Sequence, residues 1–208
     1  KYFSKFVFIN SSVRGPYLPH WFHNLGVSWT VALTGRLDSR IKLVGTTMNR
    51  CGGNGGWKVT PMSCSTPHLQ SMVFATDRVG LTLLFLPALD GSPPLFSERN
   101  PRGYDQTIEE LELGMSLVIR NAGYNISAIS MSELAMEVLS RQMDNNGLGL
   151  HGDLQFQQMY FGLDVNPLDS LFWKTNRGYI SKATQKYDEW LNVWTNDRKT
   201  YETTKART

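Results

Sequence analysis

The chain opens on an unbroken apolar run, Phe6-Val7-Phe8-Ile9, which reads as a strand buried on both faces. Asn10-Ser11-Ser12-Val13-Arg14-Gly15-Pro16 ends it sharply, because small polar residues followed by Gly and Pro favour a turn over continued pairing. Ser28 is placed to N-cap a helix that turns Trp29, Leu33 and Leu37 inward, and Ile41 to Val44 reads as a short strand. The glycine-rich stretch from Asn49 to Gly56 is expected to be a flexible loop or lid and resembles no complete phosphate-loop pattern. Ser71 to Ala75 reads as a further strand, and Asp77 caps a helix through Leu84 and Phe85 in a unit that ends at Pro93-Pro94.

The strongest helical period begins at Thr107, with Ile108, Leu111, Met115, Val118, Ile119 and Ala122 on one face and Gly123 at the C-terminal cap. Ser130-x-x-Glu133 forms a capping box for a second helix reaching Met143, before Asn145-Asn146-Gly147 breaks it. Leu171-Phe172-Trp173 reads as a late strand, and Ala183, Tyr187, Trp190, Leu191 and Trp194 form a closing helical stripe. Strands alternating with helices, without an internal repeat, predict an α/β layered domain over residues 1–195. Residues 196–208 read as a polar tail, either a solvated helix end or a disordered terminus.

Composition narrows this picture. At 208 residues and 41% hydrophobic the chain can bury one substantial core, and a net charge of +3 is too small for a nucleic-acid footprint. Cys51 and Cys64 lack the paired spacing of a zinc or redox motif, so they are read as buried thiols, with a disulfide between them as the alternative. No apolar run approaches the ~18–20 residues of a membrane span, and no basic-then-apolar signal pattern opens at Lys1. A strand pattern so near the first residue leads to the expectation of a further segment upstream.

Four islands carry a resemblance. They are Phe8-Ile9-Asn10-Ser11-Ser12-Val13-Arg14-Gly15-Pro16; His68-Leu69-Gln70-Ser71; Glu112-Leu113-Gly114-Met115-Ser116 with Ala122-Gly123-Tyr124; and Asn166-Pro167 with Phe172-x-Lys174-Thr175-Asn176-Arg177. In order and spacing they resemble the rhamnan synthesis protein F group of polysaccharide glycosyltransferases. The third island is also similar to the wider GT-A superfamily, in which a Glu-Asp pair opens a helix that ends in Ala-Gly-Tyr. Glu112 stands eleven positions before Gly123 (123 − 112 = 11) and takes the place of that Asp, the general base of inverting transfer.

The resemblance implies a GT-A-like mixed sheet flanked by helices, with this chain as the acceptor-side part. It also implies transfer of a hexosyl or deoxyhexosyl unit, rhamnosyl by family analogy, from a nucleotide-sugar to an oligosaccharide or polysaccharide acceptor. An acceptor hydroxyl must lose its proton as it attacks the anomeric carbon, and a carboxylate within hydrogen-bond reach can take it. In the first turn of a helix, Glu112 would face unpaired N–H groups that complement its charge, as any acidic residue there does. Glu110 is the second candidate and Glu109 follows.

Where the superfamily carries Asp-x-Asp to hold a divalent metal, this chain has Asn10-Ser11-Ser12, whose neutral oxygens bind Mg²⁺ or Mn²⁺ more weakly than carboxylates. These residues are expected to contact the donor with Arg14 supplying charge, or simply to make a turn. His68 and Gln70 are candidate substrate contacts, and Lys174 and Arg177 candidate neutralisers of the leaving diphosphate. His151-Gly152-Asp153 offers a poorly spaced metal pair. Tyr17, Trp21, Phe22 and Trp29 are core aromatics or a platform for a sugar ring. Asn10-Ser11-Ser12 and Asn125-Ile126-Ser127 match the N-glycosylation pattern. The rival reading is an inactive, transferase-like carbohydrate-binding module, and a third is a hydrolase pairing Glu110 with Asp153.

Overall fold

The computed structural model describes residues 2–49, 67–87, 94–96, 108–130, 154–158, 163–176, 182, 185–190 and 192–193. Its centre is a four-stranded mixed sheet. The strands are β1 (Lys5–Ile9), β3 (Ile41–Gly45), β6 (Val73–Asp77) and β7 (Asn125–Ala128), in the order β1-β6-β3-β7. β6 runs antiparallel to both β1 and β3, and β3 runs parallel to β7. The C-terminal ends of β1, β3 and β7 and the start of β6 therefore share one edge. Two ladders flank it: β2 (Val13–Arg14) pairs with β8 (Trp173–Lys174), and β4 (Met48–Asn49) pairs with β5 (His68–Leu69).

The period-two alternation of the strands divides the core between the two faces of the sheet. Leu43 and Phe74 point to one side, where they meet Leu84, Met115 and Ile119 from α3 (Arg78–Phe85) and α4 (Gly114–Asn121). Val44, Val73 and Ala75 point to the other and pack with Leu33 of α2 (Val31–Thr34), Leu37 and Phe172. Each of these Val, Leu, Ile, Met and Phe side chains, fully buried, contributes about 1.5–3 kcal/mol. Phe8 stacks on Phe74 at 4.8 Å and on Phe85 at 5.4 Å, fixing β1 to the first face. Two one-turn helices, α1 (His20–His23) and α5 (Pro167–Ser170), lie in the connections.

Local chemistry accounts for the helix ends. Asp77 Oδ1 accepts from Gly80 N at 3.0 Å, as its capping position predicts, and its Oδ2 pairs with the buried Lys42 Nζ at 2.7 Å. Gly123 takes φ +83° just past α4, the left-handed conformation that glycine adopts without a Cβ penalty.

Some boundaries differ from the sequence pattern. Ser28 Oγ does accept from Thr30 N at 3.3 Å, but the helix it precedes is only one turn long. The strand read at Ser71 to Ala75 starts two residues later, because Ser71 and Met72 make the turn between β5 and β6. The loop from Asn10 to Pro16 contains β2, whose partner β8 lies at Trp173–Lys174, far downstream, and so left no local signal. The late strand falls on Trp173 and Lys174, since Leu171 has φ +64° and breaks extension. Residues 50–56, Cys51, Cys64, Pro93, the helix reaching Met143, and the tail 196–208 lie outside the described residues.

Candidate functional site

The expected helix at Thr107 begins as a π-helical turn, Ile108–Leu113, that runs into α4. Such wide turns recur at functional positions, because the extra residue per turn re-aims neighbouring side chains. Glu112 therefore sits at the end of a π turn rather than in the first turn of an α-helix. Its partners are not helix N–H groups but Ser71, on the turn before β6. Glu112 Oε2 accepts from Ser71 N at 3.0 Å and from Ser71 Oγ at 2.7 Å. Both donors meet the same oxygen, and Oε1 makes no hydrogen bond among the described residues. The carboxylate is half-buried, with one oxygen held by Ser71 and the other making no hydrogen bond among the described residues. One turn on, Ser116 Oγ accepts from Leu69 N at 3.0 Å and fixes the same helix to β5.

Three further islands meet at this edge. Asn10 N donates to Met72 O at 3.0 Å, which brings the end of β1 beside Ser71. Ser12 O accepts from Thr175 N at 2.8 Å and from Thr175 Oγ1 at 3.0 Å, and Val13 is in register with Lys174. Asn10–Ser12, His68–Ser71, Glu112 and Lys174–Thr175 thus converge through contacts between segments far apart in sequence.

Their side chains are not all free for a ligand. Asn10 Oδ1 accepts from Ser12 N at 3.0 Å and from Ser12 Oγ at 2.7 Å, which is the turn reading of this segment. With that oxygen already engaged and the hydroxyls neutral, these residues do not fit a divalent cation, and no step is derived through one. Among the described residues no group of three or more His, Cys, Asp or Glu is placed to hold a metal. Arg14 points elsewhere, its Nη1 lying 3.1 Å from Asp188 Oδ2. Lys174 is buried rather than on a solvated face, and its N–H donates to Gln155 Oε1 at 2.5 Å.

His68 and Gln70 are both buried on the short β4–β5 ladder, and the Thr47 hydroxyl donates to Gln70 Oε1. Of the aromatics, Tyr17 is core, Trp29 packs edge-on against Phe172 at 5.2 Å, and Phe22 is half-buried; only Trp21 faces solvent, at 61%. The side chains of Glu109 and Glu110, together with His151, Asp153 and Arg177, lie outside the described residues.

Sequence reasoning singled out Glu112 but missed the residue that orients it. Ser71 was in view only as the last residue of its island. Thr47, Asn49, Gln155 and Asp188 carried no signal, since their contacts are to residues distant in sequence. No helix among the described residues is long and apolar enough to cross a membrane. No protein-family model, curated protein or solved structure matches the chain.

Proposed function

We propose that the chain is the acceptor-side part of a GT-A-type glycosyltransferase of the rhamnan synthesis protein F kind, with Glu112 as the base of inverting transfer. The observation that carries this reading is the carboxylate held at Oε2 by both Ser71 donors, with Oε1 making no hydrogen bond among the described residues, at the edge where the four islands converge. In the reaction, an acceptor hydroxyl gives its proton to Glu112 Oε1 as its oxygen forms a bond to the anomeric carbon. The bond from that carbon to the nucleoside diphosphate breaks with inversion. Ser71 keeps the carboxylate aimed during the transfer, so it need not reorganise. Choice of a rhamnosyl donor rests on family analogy alone.

The test is release of nucleoside diphosphate from nucleotide-sugars in the presence of oligosaccharide acceptors. Loss of a general base lowers rate about 10²–10⁴-fold, so Glu112→Gln is expected to abolish turnover while the protein stays folded. Undiminished turnover in Glu112→Gln would remove Glu112 from the mechanism.

A second reading, a transferase-like module that binds carbohydrate without catalysis, is favoured by two observations. Asn10 Oδ1 is taken up by its own turn, and Arg14 is paired with Asp188 rather than left for a diphosphate. Oligosaccharide binding in a protein that binds no nucleoside diphosphate would favour this module over the enzyme.

A further inference from the structure

The β4–β5 ladder has two unlike faces. Met48 and Leu69 are register partners and enter the apolar core together. Because side chains alternate along a strand, the opposite face carries Asn49 and its partner His68. Thr47 and Gln70 lie on that same face one rung along, where Gln70 N donates to Thr47 O at 3.2 Å. This face is polar yet shut off from solvent, with Gln70 0% and Asn49 4% exposed.

Within it, the Thr47 hydroxyl engages Gln70 Oε1 and so turns the amide nitrogen away. Gln70 Nε2 and Asn49 Oδ1 have no hydrogen-bond partner among the described residues. Buried polar atoms are nearly always paired, because an unpaired one forfeits its bonds to water. Here one is a donor and the other an acceptor, on diagonal positions of one short ladder. An alcohol hydroxyl has the matching chemistry, since it donates one proton and accepts through a lone pair. Among the described residues of the ladder, this face bears the amide, hydroxyl and imidazole groups of Asn49, Gln70, Thr47 and His68, which suit a neutral polyhydroxy ligand.

We propose that Asn49 and Gln70 form a subsite that reads one hydroxyl of a sugar ring, Asn49 Oδ1 accepting its proton and Gln70 Nε2 donating to its oxygen. The choice of a sugar among alcohols rests on the transferase reading of Glu112. Chain connectivity supports it, because Gln70 immediately precedes the Ser71 that holds Glu112. On this proposal Asn49 is a determinant of which acceptor is accepted.

The experiment uses the full chain with methyl α-L-rhamnopyranoside and methyl β-D-glucopyranoside as probes, followed by saturation-transfer difference NMR at about 10 mM, the range of weak affinities. Wild type is expected to give a saturable signal with at least one probe. Asn49→Leu, close in volume and losing only the unpaired oxygen and its amide, is expected to weaken that binding about tenfold or more, as sites built to bond a hydroxyl do when a polar group is lost. Its melting temperature is expected to hold or rise, because an unsatisfied buried atom has been removed. Gln70→Met provides the second variant, with the same expected loss of binding. Absence of signal in wild type, unchanged binding in Asn49→Leu, or a fall in its melting temperature would each overturn the subsite; the last would show the oxygen paired within the chain. Nucleotide-sugar turnover is measured separately. A protein that binds glycoside through Asn49 but never turns over supports the subsite and counts against the transferase reading alone.

Discussion

Replacing Ser71 by Ala removes the shorter of the two donors on Glu112 Oε2 and leaves the backbone N–H, at 3.0 Å, in place. The change therefore isolates the 2.7 Å hydroxyl bond. Hydrogen bonds to an ionised partner contribute about 1.5–3 kcal/mol, and partial exposure of both residues brings the expectation to about 1–2 kcal/mol. A double-mutant cycle of Ser71→Ala with Glu112→Ala, read by urea unfolding at neutral pH, measures the bond without assuming any function. A coupling of about 1 kcal/mol or more is expected, whereas one below about 0.3–0.5 kcal/mol is mere additivity and would refute the pairing. The same bond has a kinetic consequence. If its loss costs about 1.4 kcal/mol of orientation in the transition state, kcat falls about tenfold with KM little changed. Ser71→Thr restores a hydroxyl and should recover most of the rate.

Gly80→Ala would place a Cβ 2.1 Å from Thr76 Oγ1 and 2.6 Å from Lys42 O, so α3 must move off the sheet. Overpacking of about 1–3 kcal/mol, plus disturbance of the Thr76–Lys42 hydrogen bond, outweighs the ~1 kcal/mol helix gain of Ala, and a net loss of about 1–3 kcal/mol is expected in urea unfolding. Gln155→Leu deprives the buried Lys174 N–H of its acceptor, while Phe172 O keeps Ser170 Oγ at 2.9 Å. One orphaned donor costs about 1–3 kcal/mol, and the β2–β8 ladder should lose hydrogen-exchange protection. The Asp38 carboxyl is held below the usual range by the N–H groups of Ile41 and then Arg40, each donating to Oδ1 at 2.7 Å. A depressed folded pKa stabilises at pH above the unfolded value of about 3.9 and loses that contribution as pH falls through the folded value. The stability gap between wild type and Asp38→Ala should therefore be full near neutrality and close on acidification below about pH 4.

The elements whose signals are local were legible in the residue pattern. Phe6–Ile9 and Ile41–Val44 are strands, Asp77 caps its helix, and Gly123 closes α4, because apolar period, a capping oxygen and a left-handed glycine act within a few residues. Glu112 was a candidate through its spacing to Gly123 in the resemblance to the GT-A superfamily. What it touches was not legible. The Ser71 bond spans 41 positions, Thr175 reaches Ser12 across 163, and β2 finds β8 only once both flank the sheet. Register between strands so far apart depends on the whole core, which no local pattern encodes. Burial is likewise a tertiary outcome: Asn49, His68 and Gln70 are polar residues that the fold encloses, on the ladder whose other face carries Met48 and Leu69 into the core. The sequence determined which groups could do chemistry. Tertiary structure decided that Asn10 closes its own turn, that Arg14 turns to Asp188, and that one oxygen of Glu112 is held by both donors of Ser71.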